Sequence, residues 1–326
     1  MKVLLLLVSL FCYQYIPLVS MEHQLKEFTL EHKEGSFKNT NGINIYYQCW
    51  LPKEEVKAVL LIVHGLAEHC GRYMNLVNYY VPRGYAVYGH DHQGHGRSGG
   101  DRLMVKTFDD FTNALSIFHK MVTGWHRDKP VFLVGHSMGG LISAHYLLEN
   151  QSAFKGAIIS SPAFKPPISR LTMIIERTVG RILSKLTPKA GVWKVDPSGV
   201  SRDQDVVLDY INDPLVYHGK LTARLAAELD RMRRHVLQEA YRITLPIMIV
   251  QAGDDSLVDS EGAQIFYDKV GSEIKTLNMY PGLYHEVFNE PEKDMVFEDV
   301  ETWLERQQKS ILVHTVTRSI LMMDVY

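Results

Sequence analysis

Val131-Phe132-Leu133-Val134-Gly135-His136-Ser137-Met138-Gly139-Gly140 decides how the rest of this chain is read. Val131 to Val134 follow Pro130 as a short apolar run rich in β-branched residues, the pattern of a buried parallel strand. Gly135-x-Ser137-x-Gly139 then predicts a turn so tight that a side chain at either glycine would clash. Beyond it, Leu141, Ile142, Ala144, His145 and Leu148 recur at helical spacing. Three fixed positions recur by chance, so the flanking strand and helix carry the reading: this is the context of a nucleophile elbow. Such a turn lifts the Ser137 hydroxyl above the sheet edge and aims the N-terminus of the next helix at it.

The 326 residues are 46% hydrophobic and 22% charged, an ordinary globular composition with room for one large core and an insertion. Its 35 basic and 37 acidic side chains nearly cancel, which gives no support to a nucleic-acid partner. Cys12, Cys49 and Cys70 have neither metal nor redox spacing, and no disulfide framework is expected. There is no internal repeat. Lys2 precedes an apolar run from Val3 to Cys12, and residues 1–20 read in two ways. As a signal peptide they end near Ser20-Met21, with Leu18 poorly suited to the −3 position, and the protein is secreted or periplasmic. As an overlong start they precede a true initiator at Met21, and the protein is cytoplasmic or peripheral at a membrane. The tail, residues 309–326, is apolar from Ser310 and has no assigned role.

Along the chain, Phe28 to His32 and Ile43 to Tyr47 predict two antiparallel strands around a turn at Asn39-Thr40-Asn41-Gly42. Val59 to Val63 is a buried strand that runs into His64-Gly65-Leu66-Ala67-Glu68-His69. A glycine there lets backbone N–H groups face inward, and together with the elbow it makes the N–H groups of Leu66 and Met138 the expected oxyanion donors. Arg72 to Val81 predicts a helix, Tyr85 to Tyr88 a strand, and Phe108 to Val122 an amphipathic helix. Between the last two, His90-Asp91-His92-Gln93-Gly94-His95 fits no zinc spacing. Its glycine suits a tight loop beneath a site, and neither metal nor cofactor is expected.

Gly156 to Ser160 is a further strand, after which Pro162, Pro166 and Pro167 break the pattern. From Phe164 to Arg242 only helices are predicted: Leu171 to Leu186, Asp203 to Asn212, and Leu221 to Tyr241. Strand rhythm returns at Leu245 to Val250. The expected fold is therefore α/β, a mostly parallel sheet flanked by helices, with core residues 21–163 and 244–308 and a helical cap, residues 164–243. The first cap helix carries Leu171, Ile174, Ile175, Ile182 and Leu186 on its apolar side, with Arg170, Arg177, Arg181 and Lys185 between them. It is expected to pack as a lid, with transient membrane contact at its edge. A loop with Asp254, Asp255 and Asp259 follows Val250, Thr276 to Tyr280 is the last strand, and His285 stands in the loop before a helix from Lys293 to Arg306. Serine, aspartate and then histidine is the chain order of α/β-hydrolases, with Asp254 and Asp255 both open as the acid.

Four segments resemble the monoacylglycerol lipase and lysophospholipase branch of that superfamily, whose members include serine aminopeptidases of the S33 type. They are His64-Gly65-Leu66-Ala67-Glu68-His69-Cys70-Gly71-Arg72-Tyr73, Asp91-His92-Gln93-Gly94-His95-Gly96-Arg97-Ser98, the elbow, and Tyr284-His285-Glu286. The resemblance runs from about Lys33 to Gln307. It implies Ser137 as nucleophile, His285 as base and then acid, and Asp255 as its partner, because the family's acid stands four residues before a second aspartate, as Asp255 stands before Asp259. Glu68 and Arg72 match positions near the oxyanion loop, which implies substrate binding at the polar end of a pocket. The implied activity is ester hydrolysis of monoacylglycerol-type lipids through an acyl-enzyme, without a cofactor. Lysophospholipase, broad carboxylesterase and aminopeptidase remain alternatives, as does a ligand-binding protein on an inactive fold. An aminopeptidase needs an acidic cluster for the substrate's amine, for which the cap offers Glu176, Glu228 and Glu239.

Overall fold

The computed structural model of the protein describes residues 30–323, with residues 170, 171, 173–176 and 310–323 described as backbone. Residues 1–20, and Phe28 and Thr29 at the start of the expected first strand, lie outside the described residues. Glu31–Lys38 (β1) and Asn44–Leu51 (β2) form an antiparallel hairpin. Its turn is fixed by Asn39, whose Oδ1 accepts the N–H groups of Asn41 and Ile43. Among the described residues the first strand begins at Glu31 and runs on to Lys38, past the expected end at His32. Its sequence is mostly polar and its burial exposed, as an outer edge requires, so no apolar alternation marks it.

Ala58–Val63 (β3), Met74–Tyr80 (α1), Tyr85–His90 (β4), Asp109–Trp125 (α2), Val131–His136 (β5), Met138–Asn150 (α3) and Gly156–Ser160 (β6) complete the first part of the core. Between β6 and the returning strand Ile247–Ala252 stand Arg170–Leu186 (α4), Gly191–Trp193 (β7), Gln204–Asn212 (α5), Leu221–Thr222 (β8) and Ala223–Glu239 (α6). The core ends with that returning strand (β9), Glu261–Lys269 (α7), Lys275–Tyr280 (β10) and Lys293–Met323 (α8). The main sheet has the order β1-β2-β4-β3-β5-β6-β9-β10, parallel from β4 to β10 and antiparallel at the β1–β2 and β2–β4 pairs.

Both faces of the central strands of this sheet are buried, and the alternation along β3 shows how. Val59, Leu61 and Val63 join Phe111, Leu115, Leu141 and Phe266 in one cluster, beneath α2, α3 and α7. Ala58, Leu60 and Ile62 point the other way, to Leu76, Val77 and Tyr80 of α1 and to Val296, Phe297, Val300 and Trp303 of α8. Side chains buried on both sides are why the parallel strands read as continuous apolar runs. Because β3, β5, β6, β9 and β10 run in parallel, the loops after them emerge along one edge.

The insertion between β6 and β9 departs from expectation in two ways. It holds a short antiparallel ribbon, β7 with β8, where only helices were predicted. Strands of three and two residues are too short to show alternation. The third helix accordingly begins at Ala223, capped by the Thr222 hydroxyl on Leu225 N–H. The second departure is the apolar side of α4. The helix lies along α6, and Arg177 approaches Asp230 at 3.2 Å. Ile182 is 54% and Leu186 75% exposed, so the end of the expected packing face points outward. The side chains of Leu171, Met173, Ile174 and Ile175 lie outside the described residues. The last helix also exceeds its expected end at Arg306, its backbone remaining helical to Met323. Among the described residues no helix is long and apolar enough to cross a membrane.

Candidate active site

Ser137 stands between β5 and α3 with φ 53° and ψ −117°, a conformation that a non-glycine residue holds only where its surroundings impose it. Those surroundings are visible. Ser137 N–H donates to Ser160 O of β6 at 2.9 Å, and Ser137 O accepts Ala163 N–H at 3.1 Å. A side chain at Gly139 would begin 1.9 Å from Val63 O, and one at Gly135 would begin 2.4 Å from Ser143 Oγ, so the turn closes only with glycine at both. The hydroxyl-bearing residue is left half-buried at the sheet edge. Met138 opens α3, where the first N–H groups of a helix have no intrahelical acceptor.

The loop after β3 comes against this turn. A Cβ on Gly65 would lie 3.3 Å from Ser137 Cβ, so the two backbones approach as closely as glycine allows. Two side chains hold the Gly65 peptide groups. Its N–H donates to Glu68 Oε1 at 2.5 Å. Its carbonyl lies 2.8 Å from His64 Nδ1, while His64 Nε2 accepts the His92 N–H at 2.9 Å. With Nε2 an acceptor, Nδ1 carries the proton and donates to Gly65 O. In a trans peptide that fixes the Leu66 N–H on the opposite side of the plane. Burial, together with the neighbouring imidazoles of His92 and His95, drives the His64 pKa well down, which keeps this tautomer neutral. The histidine-rich loop after β4 is thus a support. Asp91 accepts Cys70 N–H and Arg97 N–H with its two oxygens, and His92 Nε2 contacts His64 O at 3.0 Å.

The loops after β9 and β10 meet through one short contact. His285 Nδ1 lies 2.7 Å from Asp255 Oδ2, and the Asp255 side chain is fully buried. The other Asp255 oxygen accepts the N–H groups of Leu257 and Val258 at 2.9 and 3.0 Å. Asp254, one residue away, is exposed. The His285 ring stands 4.8 Å from that of His136, the residue before Ser137, which brings it to the elbow. Burial opposes a charge on His285, but the Asp255 carboxylate outweighs it, with Glu286 and Glu68 adding to it, so the His285 pKa is raised. His136 is pushed down to about 3 by burial and by His285, and therefore faces it as a neutral ring.

Glu68 and Arg72 do come to this site, but their charges face each other and a third residue, Glu286. Arg72 donates to Glu68 Oε2 at 3.0 Å and makes two bonds to Glu286, at 2.6 and 2.9 Å. Tyr73 OH also donates to Glu68. The ring of Tyr210 on α5 lies 4.7 Å from the Arg72 guanidinium. A second contact ties the insertion to the same loop: His69 Nδ1 accepts Gly71 N–H, so its Nε2 donates to Asp213 at 2.8 Å. Sequence reading missed the parts played by Glu286, Tyr210, Asp213 and His64. An acidic residue directly after the site histidine was the one local signal available for any of them.

The family described as "Serine aminopeptidase, S33" matches residues 54–292, a span that includes every residue of the site just described. The chain belongs to this family. As an S33 hydrolase it shares the α/β-hydrolase architecture just described. It is 36% identical over 271 residues to a protein named monoacylglycerol lipase from Mycolicibacterium smegmatis, covering 83% of this chain and 96% of that one. It is 34% identical over 269 residues to the monoglyceride lipase of Rattus norvegicus, covering 82% and 88%. Among solved structures, the monoacylglycerol lipase of Paleococcus ferrophilus superimposes with a TM-score of 0.70 at 26% identity, covering 85% of this chain and 99% of that one.

Proposed function

We propose that this S33 hydrolase cleaves the ester bond of monoacylglycerols with Ser137 as nucleophile, His285 as general base and acid, and Asp255 as the group that holds His285. That the protein is a carboxylic ester hydrolase accords with its family and relatives; the roles of Ser137, His285 and Asp255 are inferred from the geometry of the site. The observation that carries it is the His285–Asp255 contact beside the elbow. A proton fixed on Nδ1 by Asp255 leaves Nε2 as the acceptor for the Ser137 hydroxyl. Ser137 then attacks the ester carbonyl while the Leu66 and Met138 N–H groups receive the developing oxyanion. Protonated His285 returns the proton to the leaving glycerol oxygen. Water, activated by the same ring, hydrolyses the acyl-enzyme and releases the fatty acid.

Two observations bear on the alternatives. Glu228 contacts Arg231 at 2.8 Å and Arg224 at 3.4 Å, and Glu239 lies 3.8 Å from Arg242. Carboxylates already paired with arginine are poor receivers for a peptide's amine, which counts against an aminopeptidase; the Glu176 side chain lies outside the described residues. Val179, Ile182 and Leu186 on α4 and Val192 and Trp193 on the ribbon are exposed, with Arg181, Lys185 and Lys194 among them. This combination supports transient contact between the cap and a lipid surface.

Hydrolysis of a monoacylglycerol, lysophosphatidylcholine, a short p-nitrophenyl ester and an aminoacyl amide, compared by kcat/KM, tests the reading. Medium- and long-chain monoacylglycerols are expected to exceed the short ester by about tenfold, since each buried methylene contributes about 0.8 kcal/mol. Preference for the lysophospholipid makes the protein a lysophospholipase, and preference for the short ester makes it a general carboxylesterase.

A further inference from the structure

Three charged side chains are buried together behind the site with no role in the reaction just derived. Glu68 is 5%, Arg72 9% and Glu286 6% exposed at the side chain. Burying two carboxylates around one guanidinium is unfavourable for stability unless geometry is recovered in return. What these groups connect is informative. Glu68 receives the Gly65 N–H, in the loop expected to supply an oxyanion donor. Glu286 directly follows His285, and its own N–H donates to Val200 O while Asn289 donates to its Oε2. Arg72 joins the two carboxylates, with its fork on Glu286 and one N–H on Glu68.

We propose that Glu286 and Arg72 are positioning residues, a clasp that sets the spacing between the Gly65–Leu66 loop and the His285 loop. The proposal rests on the roles given above to Ser137, His285 and Leu66, but not on the identity of the substrate. It also reassigns Glu68 and Arg72. The Glu68 carboxylate is engaged by Gly65 N–H, Tyr73 OH and Arg72, and the two terminal nitrogens of the Arg72 guanidinium by Glu68 and Glu286, so both side chains hold the loops that meet the substrate in place of binding it themselves. A bidentate arginine–carboxylate pair suits the task because it fixes angle as well as distance. Tyr210, stacked on Arg72, places α5 of the cap against the same clasp. A displacement of either loop by about 1 Å lowers the rate by up to about a hundredfold.

The test is the rate at which a fluorophosphonate labels Ser137 in the full-length wild type and in the Glu286→Gln, Arg72→Gln and double variants. Each single substitution is expected to slow labelling by about tenfold or more. The double variant is expected to be no slower than the slower single one, because either substitution alone opens the clasp. KM for a p-nitrophenyl ester is expected to change less than about threefold. The groups facing His285 are Asp255, Glu286, Glu68 and Arg72, with neutral His136; removing the Glu286 charge is expected to move the acid limb of labelling to lower pH. Should Arg72→Gln not fold, Arg72→Lys keeps the charge and removes the fork. Wild-type labelling rate and an unmoved acid limb in folded Glu286→Gln, or losses that multiply in the double variant, overturn the clasp. A wild type that labels at Ser137 but does not hydrolyse monoacylglycerol overturns the substrate reading and leaves the clasp standing. Absence of labelling at Ser137 overturns both.

Discussion

His285 Nδ1 and Asp255 Oδ2 are 2.7 Å apart, while the adjacent Asp254 is exposed and offers its backbone N–H to Leu283 O. Two aspartates leaving the same strand end thus meet opposite environments. Asp255→Asn replaces a carboxylate that fixes the His285 tautomer with an amide that favours the wrong one. Its kcat is expected to fall by about 10⁴-fold. Asp254→Asn is expected to stay within about threefold of wild type. Steady-state hydrolysis of a p-nitrophenyl ester measures both, and the reverse ranking moves the acid to Asp254.

Ser137→Ala is expected to abolish fluorophosphonate labelling and to lower turnover by about 10⁴-fold or more. The fold is expected to survive, because the strained turn is held by the Ser160 O and Ala163 N–H contacts of the backbone, which alanine keeps. Circular dichroism and thermal melting check the fold, and mass spectrometry checks the label. A labelled Ser137→Ala protein assigns the nucleophile elsewhere.

The sheet and the elbow were readable because their signals are local and repeated. β3, β5 and β9 are buried throughout and begin as unbroken apolar runs, and at the elbow Gly135 and Gly139 sit where any side chain strikes backbone or the next helix. The ribbon of β7 and β8 is too short to carry a period. The outward turn of Ile182 and Leu186 escaped because periodicity defines a helix face without saying what covers it. The clasp escaped for another reason. Arg72 and Glu286 stand 214 residues apart, and each, taken singly, reads as a solvated surface charge. The local residues leave Asp254 and Asp255 both open, and only the resemblance, through the spacing of Asp255 to Asp259, favours Asp255; the contact with His285 supports the same choice.

Stability is expected to fall as the solution is acidified, through the buried imidazoles. His90 is fully buried, neither of its ring nitrogens has a hydrogen-bond partner among the described residues, and burial pushes its pKa down to about 3. In the unfolded chain it titrates near 6.5, roughly as any histidine does. Between those values the unfolded state binds the extra proton, so stability is complete above about pH 6.5 and is lost as pH falls toward 3. The ring lies 5.1 Å from His92, 5.2 Å from Phe118 and 6.4 Å from Phe37, a largely aromatic setting that accepts phenylalanine. His90→Phe is expected to reduce proton uptake on unfolding at pH 5 by about one. At pH 7 its Tm is expected to equal or exceed that of the wild type. Chemical denaturation across pH 4.5–7.5 measures the slope, and an unchanged slope refutes the assignment.

The last expectation concerns Ile182 and Leu186, which leave α4 toward solvent while Arg177, on the same helix, turns to Asp230 of α6. Full transfer of one such side chain out of water is worth about 1.5–3 kcal/mol. Partial insertion of both into the interfacial zone of a bilayer therefore contributes about 2–3 kcal/mol, roughly a 30- to 140-fold change in vesicle binding. Exposed Arg181 and Lys185 add an attraction that salt weakens, provided the vesicles carry anionic lipid. The double variant Ile182→Asp/Leu186→Asp is expected to lose vesicle binding in a flotation assay. It is expected to lower kcat/KM at least tenfold for monoacylglycerol presented in vesicles. The soluble p-nitrophenyl ester is the control, since it reaches Ser137 from water, and its hydrolysis is expected to stay within about twofold of wild type. Equal losses on both substrates mean that these side chains support the pocket itself, and unchanged hydrolysis of vesicle-borne substrate means that the cap does not meet the lipid surface through this face.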